Sequence, residues 1–162
     1  MQDVKITTAA GNFKFRVGGI LICNDRVLVV EMNDNGHYCL PGGHVELGED
    51  TKTAVVREMG EELGYEVVDK QLVAMIENFY YNPRKNNHFH ELGYYYIVEP
   101  KDMAKCQLDS YMRMEQDKDH VTKLDFKWVP LTDLASVDFR PKFLGEQLSQ
   151  KNFNLTHYIN KE

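Results

Sequence analysis

A chain of 162 residues that is 43% apolar and 27% charged has the length for one domain with a substantial core, and its composition lies outside the disordered and membrane classes. Its formal charge of −6 counts against duplex nucleic acid as the main partner, because that binding neutralises phosphates along a basic face. The most apolar stretch is interrupted at Asn24, Asp25 and Arg26, which leaves no run long enough to span a bilayer.

Met1 to Lys5 lacks the basic and then apolar pattern of a signal peptide. Cys23, Cys39 and Cys106 are odd in number and far apart, and are expected to be reduced core thiols of a cytoplasmic protein, with a disulfide or zinc site disfavoured. No repeat, low-complexity tract or linker divides the sequence, so residues 1–162 are expected to form a single domain.

In chain order, Phe13, Phe15 and Val17 alternate into an apolar strand ending near Cys23, and Asn24-Asp25 turns the chain into a second strand over Val27 to Val30. Asn33 to Gly36 is a loop, and Leu40-Pro41-Gly42-Gly43 is a rigid turn. Asp50 to Leu63 predicts the clearest helix, with Val55, Val56, Met59 and Leu63 on one stripe and Gly64 at the C-cap position. Tyr65 to Asn78 and His88 to Val98 predict a second hairpin around the loop Asn82 to Asn87. Pro100 to Thr122 shows no period, Phe126 to Val129 suggests a short strand, and Pro141 to Gln150 a closing helix. Strand pairs with one or two helices predict a mixed α/β domain with a largely antiparallel sheet and helices on both faces.

The chemistry concentrates on the predicted helix. At about 100° per residue, Glu58, Glu61 and Glu62 share one arc that borders the apolar stripe. Like charges at these spacings, close to the negative end of the helix dipole, repel one another and need compensation. A divalent cation supplies it, and hard oxygen donors without histidine or cysteine select magnesium or manganese. A solvated acidic face is the alternative explanation of the same residues.

Gly43, Glu49 and the run Arg57-Glu58-Met59-Gly60-Glu61-Glu62-Leu63-Gly64-Tyr65 match the pattern G-x5-E-x7-R-E-U-x-E-E-x-G-U, where U is bulky and apolar. This resembles the signature of the Nudix hydrolases (MutT-like), with all seven fixed identities present and Tyr65 where an aliphatic residue is usual. The resemblance implies a Nudix-like α/β/α sandwich around a mixed, largely antiparallel sheet. It also implies metal ligation by Glu58, Glu61, Glu62 and the Gly43 carbonyl, and an ion pair between Glu49 and Arg57. The implied reaction is hydrolysis of a nucleoside diphosphate linked to another group, with Mg2+, or Mn2+, as cofactor. Glu58 or Glu62 is the expected general base; Glu115, Asp117 and Asp119, expected in a long loop before the last strand, are an alternative source.

Tyr80, Arg84 and Lys85 in the second hairpin, and His44 beside the glycine turn, are candidate substrate contacts: aromatic faces stack on bases and cations meet phosphates. A basic hairpin tip with core aromatics at its root explains the hairpin residues equally simply. The expected partner is a small nucleotide, and a homodimer is left open. Competing functions are a nucleotide-sensing domain without catalysis, and removal of pyrophosphate from an RNA end. The complete acid set argues against the first and the negative charge against the second.

Overall fold

The computed structural model describes every residue except Met1, Arg84, Gln107, Leu108, Lys118, Asp119 and Glu162, with backbone only at Gln116, Asp117 and His120. The chain forms two compact units, one of residues 1–19, 42–101 and 154–162, the other of residues 20–41 and 102–153. Among the described residues nine strands and two α-helices are distributed between them, giving the mixed α/β class that the strand and helix signals predict.

The first unit contains β1 (Lys5–Thr8), most of β2 (Gly11–Cys23), α1 (Thr51–Leu63), β5 (Val67–Asn82), β6 (Asn87–Pro100) and β9 (Thr156–Lys161). The strand order is β2, β6, β5, β9, with β1 on β2; β5 and β9 pair in parallel, while β1–β2 and β5–β6 are antiparallel. The helix forms where its stripe predicts: Ala54, Val55 and Met59 are fully buried. The Asp50 carboxylate accepts hydrogen bonds from the N–H groups of Lys52 and Thr53, and Gly64 closes the helix at φ 76°, a left-handed turn that glycine adopts without strain. The Met59 side chain packs on Gly19 of β2, where an added methyl would collide with it. Phe15 of β2 meets Tyr94 of β6 edge-on, and the Tyr96 hydroxyl bonds that of Thr51, which ties the start of α1 to the hairpin.

The second unit contains the end of β2, β3 (Arg26–Met32), β4 (Tyr38–Cys39), β7 (Tyr111–Asp117), β8 (His120–Pro130) and α2 (Lys142–Ser149), all paired antiparallel. The β2–β3 turn places both Asn24 and Asp25 at positive φ, 48° and 60°, as the tight hairpin expected from these residues requires. Phe126, Phe139, Leu28, Leu131, Leu144 and Leu148 fill its core.

Three expectations are corrected here. The aperiodic segment before Phe126 contains β7 and the first half of β8, so Glu115 lies exposed on a strand and Asp117 ends it, while Asp119 falls outside the described residues. The final strand, β9, runs beside β5 and was missed because its residues alternate only between half-buried and exposed. Cys23 and Cys106 are joined in a disulfide and only Cys39 is a thiol, which removes the cysteine argument for a reducing compartment. Among the described residues no helix is long and apolar enough to cross a membrane.

Candidate active site

The loop from Gly42 to Glu49 and helix α1 meet within the first unit. Val17 N–H donates to the Gly43 carbonyl and Val45 N–H to the Phe15 carbonyl, both at 3.0 Å, so the loop runs along β2 with His44 opposite Arg16. The approach is too close for side chains: a Cβ on Gly42, whose φ is 140°, would overlap the Val17 carbonyl, and one on Gly43 would overlap the Glu58 carboxylate. This is the physical reason for two glycines between Pro41 and His44.

Arg57 fastens the helix to that loop. Its Nε and Nη2 donate to the two oxygens of Glu49 at 2.9 Å each, Nη2 also to the His44 carbonyl at 3.0 Å, and Nη1 to Glu58 at 2.9 Å. Glu49 accepts a further bond from Glu46 N–H at 3.0 Å. A two-pronged guanidinium–carboxylate pair of this kind is both strong and directional. The Arg57 hydrogen bonds hold the Glu49 carboxyl below its usual pKa. Burial pushes Glu58 the other way, above the usual carboxylate value, with Glu61 adding to the rise and Arg57 and Arg16 opposing it.

Glu61 is exposed, with Oε2 3.7 Å from Arg57 Nη1, and Glu62 is half-buried with Oε2 shielded from solvent. Among the described residues no three acidic, histidine or cysteine side chains converge into a metal-holding group. The donors still suit a hard divalent ion: they are all oxygen, Glu58 is a half-buried carboxylate under repulsion from Glu61, and Arg57 is the cation that now offsets it. A cavity of about 590 Å³ flanks the same helix, bordered by Val56, Arg57, Gly60, Glu61 and Tyr65, within the size range of small-molecule sites.

The other expected contacts divide. His44 sits by the loop with Nδ1 3.7 Å from Asp3, but burial, Arg16 and Lys14 depress its pKa to about 4, so it stays neutral at pH 7 and offers a phosphate no full charge. Tyr80 stacks on Phe89 with centroids 5.2 Å apart, and burial followed by Glu91 pushes its hydroxyl to about 12. Phe79 stacks on His90 and Tyr81 packs on His88, so the hairpin's aromatics are spent mainly on cross-strand pairs. Lys85 Nζ lies 5.9 Å from the Phe89 ring centre; Arg84 lies outside the described residues.

Lys14 and Arg16, next to the site, escaped the sequence reading, and Glu91 was noticed only as one of the hairpin group after Lys85. Arg16 Nη2 donates to the Gly42 carbonyl at 3.0 Å, and its Nη1 lies 3.9 Å from the buried Glu91. The available signal was two cations alternating with Phe13, Phe15 and Val17 on a strand, and an acid amid alternating aromatics on another.

A family model described as NUDIX domain matches residues 13–148. A MutT-like protein of Streptomyces ambofaciens is 40% identical over 63 residues, 38% of this chain and 41% of that one. An ADP-ribose pyrophosphatase of Methanocaldococcus jannaschii is 33% identical over 86 residues, 51% of this chain and 48% of that one. Each alignment thus spans less than half of the relative's length. A crystal structure of a MutT protein from Bacillus halodurans superposes with a TM-score of 0.57 at 17% identity over 90% of each chain, a likeness of fold. The family match runs through both units and most of the sequence, and the chain belongs to the NUDIX domain family.

Proposed function

We propose that this chain is a magnesium-dependent pyrophosphohydrolase that cleaves a nucleoside diphosphate linked to another group, a nucleoside triphosphate, nucleotide sugar or dinucleoside polyphosphate, and that residues 1–162 act as one domain. The observation that carries the reading is the arrangement of Glu58, packed on the Cα of Gly43 and bonded to an arginine that Glu49 and the His44 carbonyl hold in place. Pure nucleotide binding does not require that much construction around an acidic helix. The M. jannaschii relative, named for ADP-ribose pyrophosphatase activity, supports the same substrate class.

Glu58, Glu61, Glu62 and the Gly43 carbonyl would hold Mg2+, or Mn2+ in its place. When bound, the ion neutralises diphosphate oxygens and lowers the pKa of water. The chain's own residues do the rest. Glu49 fixes Arg57, Arg57 fixes Glu58 against the loop, and the raised pKa of Glu58 makes it a better proton acceptor than an exposed carboxylate when water attacks phosphorus. Glu62, shielded on the same helix, is the second candidate for that role.

Release of nucleoside monophosphate from a panel of nucleotides, measured with and without Mg2+, tests the reading. Turnover should require the ion, and Glu58→Gln or Glu62→Gln should lower kcat by on the order of 10²–10⁴-fold without moving the melting temperature. A wild-type protein that binds nucleotides and hydrolyses none of them would establish the sensing alternative instead.

A further inference from the structure

Lys14 on β2 is half-buried, and among the described residues its ammonium makes no hydrogen bond and no ion pair. It lies 4.9 Å from the centre of the Phe89 ring. Lys85, from the turn between β5 and β6, brings its own ammonium to 5.9 Å from the same centre. Two cations that converge on one ring repel each other, and Arg16, two residues along β2, adds a third positive charge. Among the described residues the carboxylate that acts on Lys14 is Glu91, and it also faces Arg16 at 3.9 Å. His44, the remaining ionisable neighbour from the loop, is neutral at pH 7, and Lys5 nearby is engaged by Asp3 at 2.8 Å.

We propose that Lys14 and Lys85, backed by Arg16, form a cradle for an additional phosphate of the substrate, so that the preferred substrates are nucleoside polyphosphates and not nucleotide sugars with an uncharged far end. The inference rests on the hydrolase reading above for its link to catalysis. The path to the acidic helix is short and built of described contacts: Arg16 holds the Gly42 carbonyl, Gly43 supports Glu58, and the charge of Arg16 reaches Glu58. A substrate that places its diphosphate at Glu58 therefore has a positively charged neighbour for whatever lies beyond it. Burial and the neighbouring cations depress the pKa of Lys14, a cost that a bound phosphate would reverse. The Lys14 ammonium lies over the Phe89 ring, so Lys14→Met removes the charge while leaving an unbranched side chain that can rest against the same ring.

The test uses the full chain and two readouts. Binding of inorganic tripolyphosphate is measured by calorimetry without metal for the wild type, Lys14→Met, Lys85→Met and Lys14→Arg. Each methionine variant should weaken binding about tenfold, and Lys14→Arg should retain most of it, with melting temperatures unchanged. The ratio of kcat/KM for diadenosine tetraphosphate to that for ADP-ribose should fall about tenfold in the methionine variants. Equal losses on both substrates, or tripolyphosphate binding that ignores the lysines, would overturn the cradle while leaving the hydrolase reading intact. Lysine-dependent tripolyphosphate binding in a protein that hydrolyses no nucleotide would instead keep the cradle and remove the enzyme.

Discussion

Glu49 receives three hydrogen bonds, two from Arg57 and one from the Glu46 N–H, so it behaves as a structural anion whose value lies in what it positions. Glu49→Gln puts an amide N–H₂ against guanidinium donors. It should cost roughly 1.5–3 kcal/mol of stability and, by releasing Arg57 from Glu58, about 10–100-fold in activity. Its folded-state pKa is depressed below 4.5, so its contribution is complete above that pH and is lost as pH falls through the folded value. Urea midpoints taken from pH 7 down to pH 3 should decline for the wild type and less steeply for Glu49→Gln. His44 has the opposite charge type and the same sign of slope: its pKa falls from 6.5 to about 4, the unfolded chain binds more protons between those values, and stability is lost as pH drops from 6.5 towards 4. His44→Gln should flatten the midpoint curve in that window, and an unchanged slope would mean that the ring is not buried as described.

Helix α1 is the element that local rules describe most completely. Asp50→Ala removes a cap that accepts from two N–H groups and should lower the urea midpoint of unfolding. Gly60, by contrast, has open space where a Cβ would stand, with only the Tyr65 carbonyl at 3.8 Å, so Gly60→Ala should stabilise the helix by about 0.5–1 kcal/mol in thermal unfolding. The same rules made α1 legible in the sequence, because its stripe, cap and C-terminal glycine all lie within fifteen residues. The β5–β6 hairpin was legible for a similar reason, since Phe79, Tyr80 and Tyr81 find their ring partners across a short turn. Strand β7 was not: Met112, Arg113, Met114 and Glu115 are all exposed, so its backbone ladder to β8 defines it while its side chains carry no alternation. Gly43, Glu49, Arg57, Glu58, Glu61 and Glu62 could be picked out in the sequence because their spacing carries the family resemblance. Lys14, Arg16 and Glu91 could not, since they become neighbours only when β2 and β6 pair across more than seventy intervening residues.

At the scale of the whole chain, the net charge of −6 coexists with a local excess of cations around Phe89, which shows how little a formal charge says about any one surface. Cysteine arithmetic failed at the same scale: an odd count spread over the sequence concealed one bridge, because proximity of Cys23 and Cys106 depends on how the segment after β6 returns to the end of β2. That bridge has a measurable consequence. Both cysteines belong to the second unit, and the bridge closes a sequence span of 83 residues; a loop of that length restricts the unfolded chain by an amount worth up to about 4 kcal/mol. Reduction, or Cys106→Ser, should therefore lower the melting temperature by roughly 10 °C, whereas Cys39→Ser, at a thiol outside the bridge, should move it little. Thiol titration of the unfolded chain should find one reactive cysteine before reduction and three after it. Three thiols at the outset, together with a melting temperature indifferent to reductant, would show that the pair is not joined in solution and would restore the case for a reducing compartment.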